Sequence, residues 1–153
     1  MKDIMLKIVG KQLYGLEEEE QQLEFVTEGK YYQIGDSVYL TYDESELSGM
    51  EGCTTSLEIK GEKILMKRYG DKLPYDTEIM FEKGKRFTGY YDTPFGAIEM
   101  EVLTNDIKNN IKTDEGKGSI NIDYHISLRG LSEGRSLLDI EILEQMGKGK
   151  KGS

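Results

Sequence analysis

The sequence predicts an all-β fold, an antiparallel up-and-down barrel of about 8–10 strands. Three observations lead there. Apolar side chains recur at every second position over long stretches, most cleanly at Ile120, Ile122, Tyr124, Ile126 and Leu128, which is the period of a strand with one buried and one solvated face. Turn pairs (Gly35-Asp36, Gly61-Glu62, Gly70-Asp71, Lys83-Gly84) interrupt these stretches at near-regular spacing. Most of the connections are short, and short connections join antiparallel neighbours. A sandwich of two sheets usually needs longer crossings, so closure into a barrel is the economical arrangement.

Residues 4–14 carry Ile4, Leu6 and Ile8 on one face. Residues 15–21, with the acidic run Glu17–Glu20, lack an apolar stripe and read as a loop. A strand over 22–34 alternates Leu23, Phe25 and Thr27, and the adjacent Tyr31 and Tyr32 must point to opposite faces. Val38, Leu40 and Tyr42 make the next strand, before a loop over 43–52 that opens on Asp43, Glu44 and Glu46. Cys53, Thr55, Leu57 and Ile59, then Ile64, Met66 and Arg68, complete a meander of three strands across the Gly61-Glu62 turn. Strands over 75–81 (Tyr75, Thr77, Ile79, Phe81) and 86–91 (Phe87, Gly89, Tyr91) come next. Thr93-Pro94-Phe95-Gly96 is a turn with proline in its second position, and it leads to a strand over 97–105 with Ile98, Met100 and Val102 inward. Residues 106–113 stay open between strand, helix and loop: Leu103, Ile107 and Ile111 have helical spacing, but Asn105, Asn109 and Asn110 oppose a helix. Strands over 119–129 and 136–143 close the pattern, with 130–134 as a loop. Residues 1–146 read as a single domain and 147–153, with Lys148, Lys150 and Lys151, as a disordered basic tail.

Composition excludes several functions. The net charge is −9, and more acidic still without the tail, which opposes binding to nucleic acid or an anionic membrane. No apolar run approaches the ~18 residues of a membrane-spanning helix, and Met1-Lys2-Asp3 opens straight into strand alternation rather than a leader sequence. A cytoplasmic location is expected. One cysteine, Cys53, cannot form an internal disulfide, and with one histidine, His125, it cannot supply a structural zinc site. No metal or cofactor is expected. Two prolines, eighteen glycines and ten tyrosines suit many strands joined by tight turns.

Several short motifs carry a resemblance. Val38–Tyr42 before an acidic loop, Met66-Lys67-Arg68-Tyr69-Gly70, Thr93-Pro94-Phe95-Gly96 and Gly116-Lys117-Gly118-Ser119-Ile120 stand in the order seen in the YwiB-like family. The resemblance spans about Ile4 to Ile142 and implies a bacterial domain of unknown function with a calycin-like, lipocalin-like β-barrel. It carries no reaction and no catalytic residues. Calycins often hold small ligands inside the barrel, an analogy of fold alone. The chain departs from the lipocalin pattern in lacking tryptophan, and so the Gly-x-Trp near the first strand.

Strand parity yields a candidate site. In a meander, alternate strand ends share one rim, and Tyr42, Glu44, Thr55, Arg68, Tyr75 and Tyr91 face inward at it. Arg68 continues the Ile64-Met66 face and Glu44 the Leu40-Tyr42 face. Charges at the end of an apolar face must be paired or wet, so Glu44 and Arg68 are expected to form a rim ion pair, to hold a small polar or anionic headgroup, or both. His125 alternates with Asp123 and Ser127 on the solvent face, without a nucleophile to activate. Cys53 reads as a buried, inert thiol. Gly116–Ser119 lacks the spacing of a P-loop, and the acidic clusters lack that of a calcium loop. The leading expectation is a non-enzymatic barrel with a small apolar or amphipathic ligand. A self-associating module, such as a homodimer through outer tyrosines (Tyr39, Tyr90) or an open edge, comes second. An enzyme using Glu44 with Tyr42 comes third.

Overall fold

The computed structural model describes residues 2–14, 19–44, 52–70, 77–93, 96–113, 115–129 and 132–145. Every regular element among them is a β-strand. β1 (Lys2–Tyr14) and β2 (Glu19–Ile34) form a long hairpin, and β3 (Ser37–Asp43), β4 (Cys53–Lys60), β5 (Lys63–Gly70) and β6 (Thr77–Glu82) each pair antiparallel with the strand before. β7 (Arg86–Thr93), β8 (Gly96–Asn109), β9 (Gly118–Leu128) and β10 (Ser132–Gln145) make a second meander, whose last strand pairs with β1. The result is a ten-stranded antiparallel sheet rolled into a nearly closed barrel, in the order β6-β5-β4-β3-β2-β1-β10-β9-β8-β7. β6 and β7 meet at a tight turn, where Lys85 N donates to Glu82 O at 3.0 Å, but among the described residues no ladder joins the two strands.

Register explains how the interior is graded. Across β3, β4, β5 and β6, Val38, Ile59, Ile64 and Phe81 pair in one apolar row. The next row is Leu40, Leu57, Met66 and Ile79, and the next Tyr42, Thr55, Arg68 and Thr77. Each step of two residues moves one level up the same face, so the interior passes from hydrocarbon to hydroxyl and charge. The apolar end is sealed. Tyr31 Oη donates to Thr113 O at 3.1 Å, and Asn109 Nδ2 donates to Gly61 O at 2.6 Å, which ties the β8–β9 hairpin across that end. Leu40, Leu57, Ile59, Ile64, Phe81, Ile107, Ile120 and Ile122 are buried there, each contributing roughly 1.5–3 kcal/mol by leaving water.

The predicted barrel stands, with corrections at strand ends. The β1–β2 ladder runs out to Tyr14↔Glu19, so Glu19, Glu20 and Gln21 are strand rather than loop. Backbone pairing extends past the apolar positions, which alternation cannot register. β10 likewise starts at Ser132, pairing with Leu128 of β9. The open stretch 106–113 is strand to Asn109, with an isolated bridge between Lys112 and Lys117. A bulge between Thr104 and Asp106 moves the inward face from Met100, Val102 and Thr104 to Ile107. The bulge puts Leu103, opposite the outward His125, and Ile107, opposite the buried Ile122, on different faces, so their helix-like spacing marks no shared face. Tyr75 and the basic tail at 147–153 lie outside the described residues.

Thr104 carries one local conflict. Its backbone is satisfied, with Gly84 N donating to Thr104 O at 2.9 Å and Thr104 N donating to Lys85 O at 3.2 Å. Its Oγ1 is buried with no hydrogen-bond partner among the described residues. Thr104→Val keeps the shape and removes the unmet polar group, so it is expected to raise stability by about 1 kcal/mol; a lower urea midpoint would contradict this.

Candidate functional site

The polar end of the barrel holds the predicted rim. Tyr42 pairs with Thr55 and Thr55 with Arg68 across the ladders. Glu44 lies one residue beyond β3, and its N donates to Cys53 O at 2.8 Å, which carries the alternation one step further and keeps the side chain inward. Thr55 Oγ1 donates a short hydrogen bond to Glu44 Oε2 and accepts one from Arg68 Nε at 3.2 Å. Arg68 Nη2 lies 3.6 Å from Glu44 Oε2, with the glutamate side chain 3% and the arginine side chain 18% exposed. Thr55 thus bridges a buried ion pair. Burial, with help from the neighbouring Glu44 carboxylate, raises the Tyr42 phenol far above its ordinary value, so it stays protonated. Tyr91 lies on β7 opposite Ile98.

Beside this pair the barrel is hollow. A cavity of about 710 Å³ opens at the polar end, lined by Ile8, Phe25, Met66, Ile79, Tyr124 and Ile126 among others, with Glu44 and Arg68 in its wall. Gly10 also lines it, and a side chain there would meet nothing within 4 Å. Tyr42, Glu44, Thr55 and Arg68 meet as the sequence predicts, whereas Tyr124, Phe25 and Gly10 join the site only in the folded barrel. The same parity rule reaches them, since Gly10 continues the Ile4-Leu6-Ile8 face and Tyr124 sits between Ile122 and Ile126.

The other residues weighed from sequence lie elsewhere. Cys53 is buried and free. His125 is exposed on the outer face, its Nδ1 3.1 Å from Nδ2 of Asn105, which also donates to Asp123 Oδ1 at 3.0 Å. Among the described residues no group of three or more His, Cys, Asp or Glu is arranged to hold a metal.

Asp123 accepts from Arg135 Nε and Nη2 at 2.9 and 2.6 Å. These hydrogen bonds, helped by Asn105, hold its carboxyl below the usual carboxylate range. Because the folded value is depressed, the stabilisation is complete above the unfolded pKa of about 4 and is lost as pH falls through the folded value. Asp123→Asn is therefore expected to flatten the loss of stability as pH falls below the ordinary carboxylate range. Acid-unfolding curves parallel to those of the wild type would contradict it.

Residues 7–140 match the family described as "Domain of unknown function (DUF1934)". The chain belongs to this family. Among relatives of the DUF1934 chain is the "Uncharacterized beta-barrel protein YwiB" of Bacillus subtilis (strain 168), 27% identical over 107 residues that cover 70% of this chain and 72% of the relative. The crystal structure of the ywiB protein from Bacillus subtilis superposes with a TM-score of 0.70 at 22% identity, over 93% of this chain and 94% of that one. At that identity the likeness speaks for the fold. The resemblance carried by the four short motifs is thus borne out, and DUF1934 comes with no assigned activity.

Proposed function

We propose that this protein is a non-enzymatic, small-molecule-binding barrel of the bacterial cytoplasm, in the manner of calycins. The observation that carries the reading is the cavity: about 710 Å³, within the roughly 300–1,000 Å³ typical of small-ligand sites, with apolar side chains over much of its wall and Glu44 and Arg68 among its polar lining. The ligand's apolar body packs among Phe25, Met66, Ile79 and Ile126, and its polar end meets Arg68 and Glu44, which Thr55 holds from behind. Catalysis by Glu44 with Tyr42 is the weaker reading, because the carboxylate is already engaged by Thr55 and Arg68 and the phenol is held protonated.

The test uses N-phenyl-1-naphthylamine, a fluorophore that brightens in apolar pockets. The wild type is expected to bind it saturably. Gly10→Phe, which projects a ring into open space, is expected to abolish binding while keeping a cooperative melt. No binding to the wild type, or unchanged binding to a folded Gly10→Phe, would refute the reading.

One observation favours self-association as a second reading. On the outer face Tyr32, Tyr39, Glu58, Leu65 and Met80 stand in one row across five strands, and the Tyr32 and Tyr39 rings stack at 4.8 Å and 4°. Glu58 and Lys60 share that outer face of β4, complementary charges for a second copy turned about a two-fold axis. Sedimentation of Tyr39→Ser as a monomer where the wild type is a dimer would support it.

A further inference from the structure

We infer that the ligand is uncharged: an amphipathic molecule whose head both donates and accepts hydrogen bonds, such as a hydroxyl or amide, rather than a carboxylate or an ammonium. The inference rests on the cavity being a ligand site and specifies what it takes. The cavity wall is already charge-balanced. Glu44 and Arg68 are each other's counter-charge at 3.6 Å, and at 3% exposure the Glu44 carboxylate has little access to water in place of its cation. The other charged groups along the lining, Lys11, Glu133 and Arg135, lie toward the rim, and Arg135 is held by Asp123.

A carboxylate head would have to draw Arg68 away from Glu44, leaving a buried carboxylate without its cation. An ammonium head would do the reverse. Either exchange strands a charge in a low-dielectric site, where an unpaired ion is far more costly than a paired one is favourable. A neutral head avoids the exchange. Nη1 of Arg68 and Oε1 of Glu44 make no hydrogen bond to any described residue, so the pair keeps a donor nitrogen and an acceptor oxygen uncommitted among those residues. A hydroxyl or primary amide can engage both while the pair stays intact. Tyr42 adds a neutral hydroxyl at the same level.

Displacement of N-phenyl-1-naphthylamine by 1-decanol, decanoate and decylammonium at neutral pH tests this, because the three share one chain and differ in head charge. Decanol is expected to displace the probe at concentrations at least ~10-fold lower than either ion, a difference of ~1.4 kcal/mol. Glu44→Gln, which leaves Arg68 uncompensated, is expected to reverse the order in favour of decanoate, and Glu44→Gln/Arg68→Met to restore preference for decanol. Decanoate or decylammonium matching decanol on the wild type would overturn the inference while leaving the cavity as a binding site. An unchanged order in folded Glu44→Gln would also overturn it. A wild type that binds no probe would remove both readings together.

Discussion

Arg68→Met is expected to destabilise the protein by about 3 kcal/mol, the lower end of what breaking a buried ion pair costs. The loss comes from what stays behind. Methionine fills much of the arginine's volume beside Met66, so packing changes little. Glu44 remains 3% exposed, with the hydrogen bond from Thr55 but no cation. The value sits at the lower end because the arginine side chain is itself 18% exposed and the site can admit some water. Arg68→Met/Glu44→Leu removes both charges and is expected to recover most of the loss, since a hydrophobic replacement of a buried pair is often neutral or better. Urea unfolding with an unchanged m-value measures both. A single variant within about 0.5 kcal/mol of the wild type would mean that the pair is effectively solvated.

Gly118→Ala is expected to cost about 3 kcal/mol or more through backbone strain. Gly118 opens β9 with φ at +124°, and a Cβ there would lie 2.1 Å from Asn110 O and 2.7 Å from Ile111 Cα. Both obstacles are backbone, so neither can rotate away. The hairpin that must yield is the one whose Asn109 and Thr113 tie off the apolar end, so the strain falls on the seal. Gly10→Ala is the control. Its Cβ would meet nothing within 4 Å, and it is expected to change stability by no more than about 1 kcal/mol, in the favourable direction, by restricting the unfolded chain. Equal thermal shifts for the two variants would contradict the steric account.

The barrel was legible because its physics repeats. A period of two over Ile120–Leu128 marks one face of a strand wherever the strand sits, and tight turns fix the neighbours. The meeting of Tyr42, Thr55, Glu44 and Arg68 was legible for the same reason, since parity and strand direction suffice to put them on one face at one end. The Thr104–Asp106 bulge was not, because an inserted residue leaves the local composition unchanged and shifts only the phase of the residues after it. Nor was the hollow. Whether Gly10, Phe25 and Tyr124 enclose space or touch depends on barrel diameter and strand tilt, which belong to the closed ring rather than to any segment. The outer row from Tyr32 to Met80 becomes visible only once five registers are known.

The unlaced join between β6 and β7 gives the ring a property that a fully stitched one lacks. Among the described residues no β6–β7 backbone ladder has to break for its girth to change at that join. If the cavity binds as proposed, an occupant slightly too bulky for the resting hollow is expected to be accommodated by widening along that line. Amide protons facing that line are accordingly the first in the interior strands to trade with solvent deuterium.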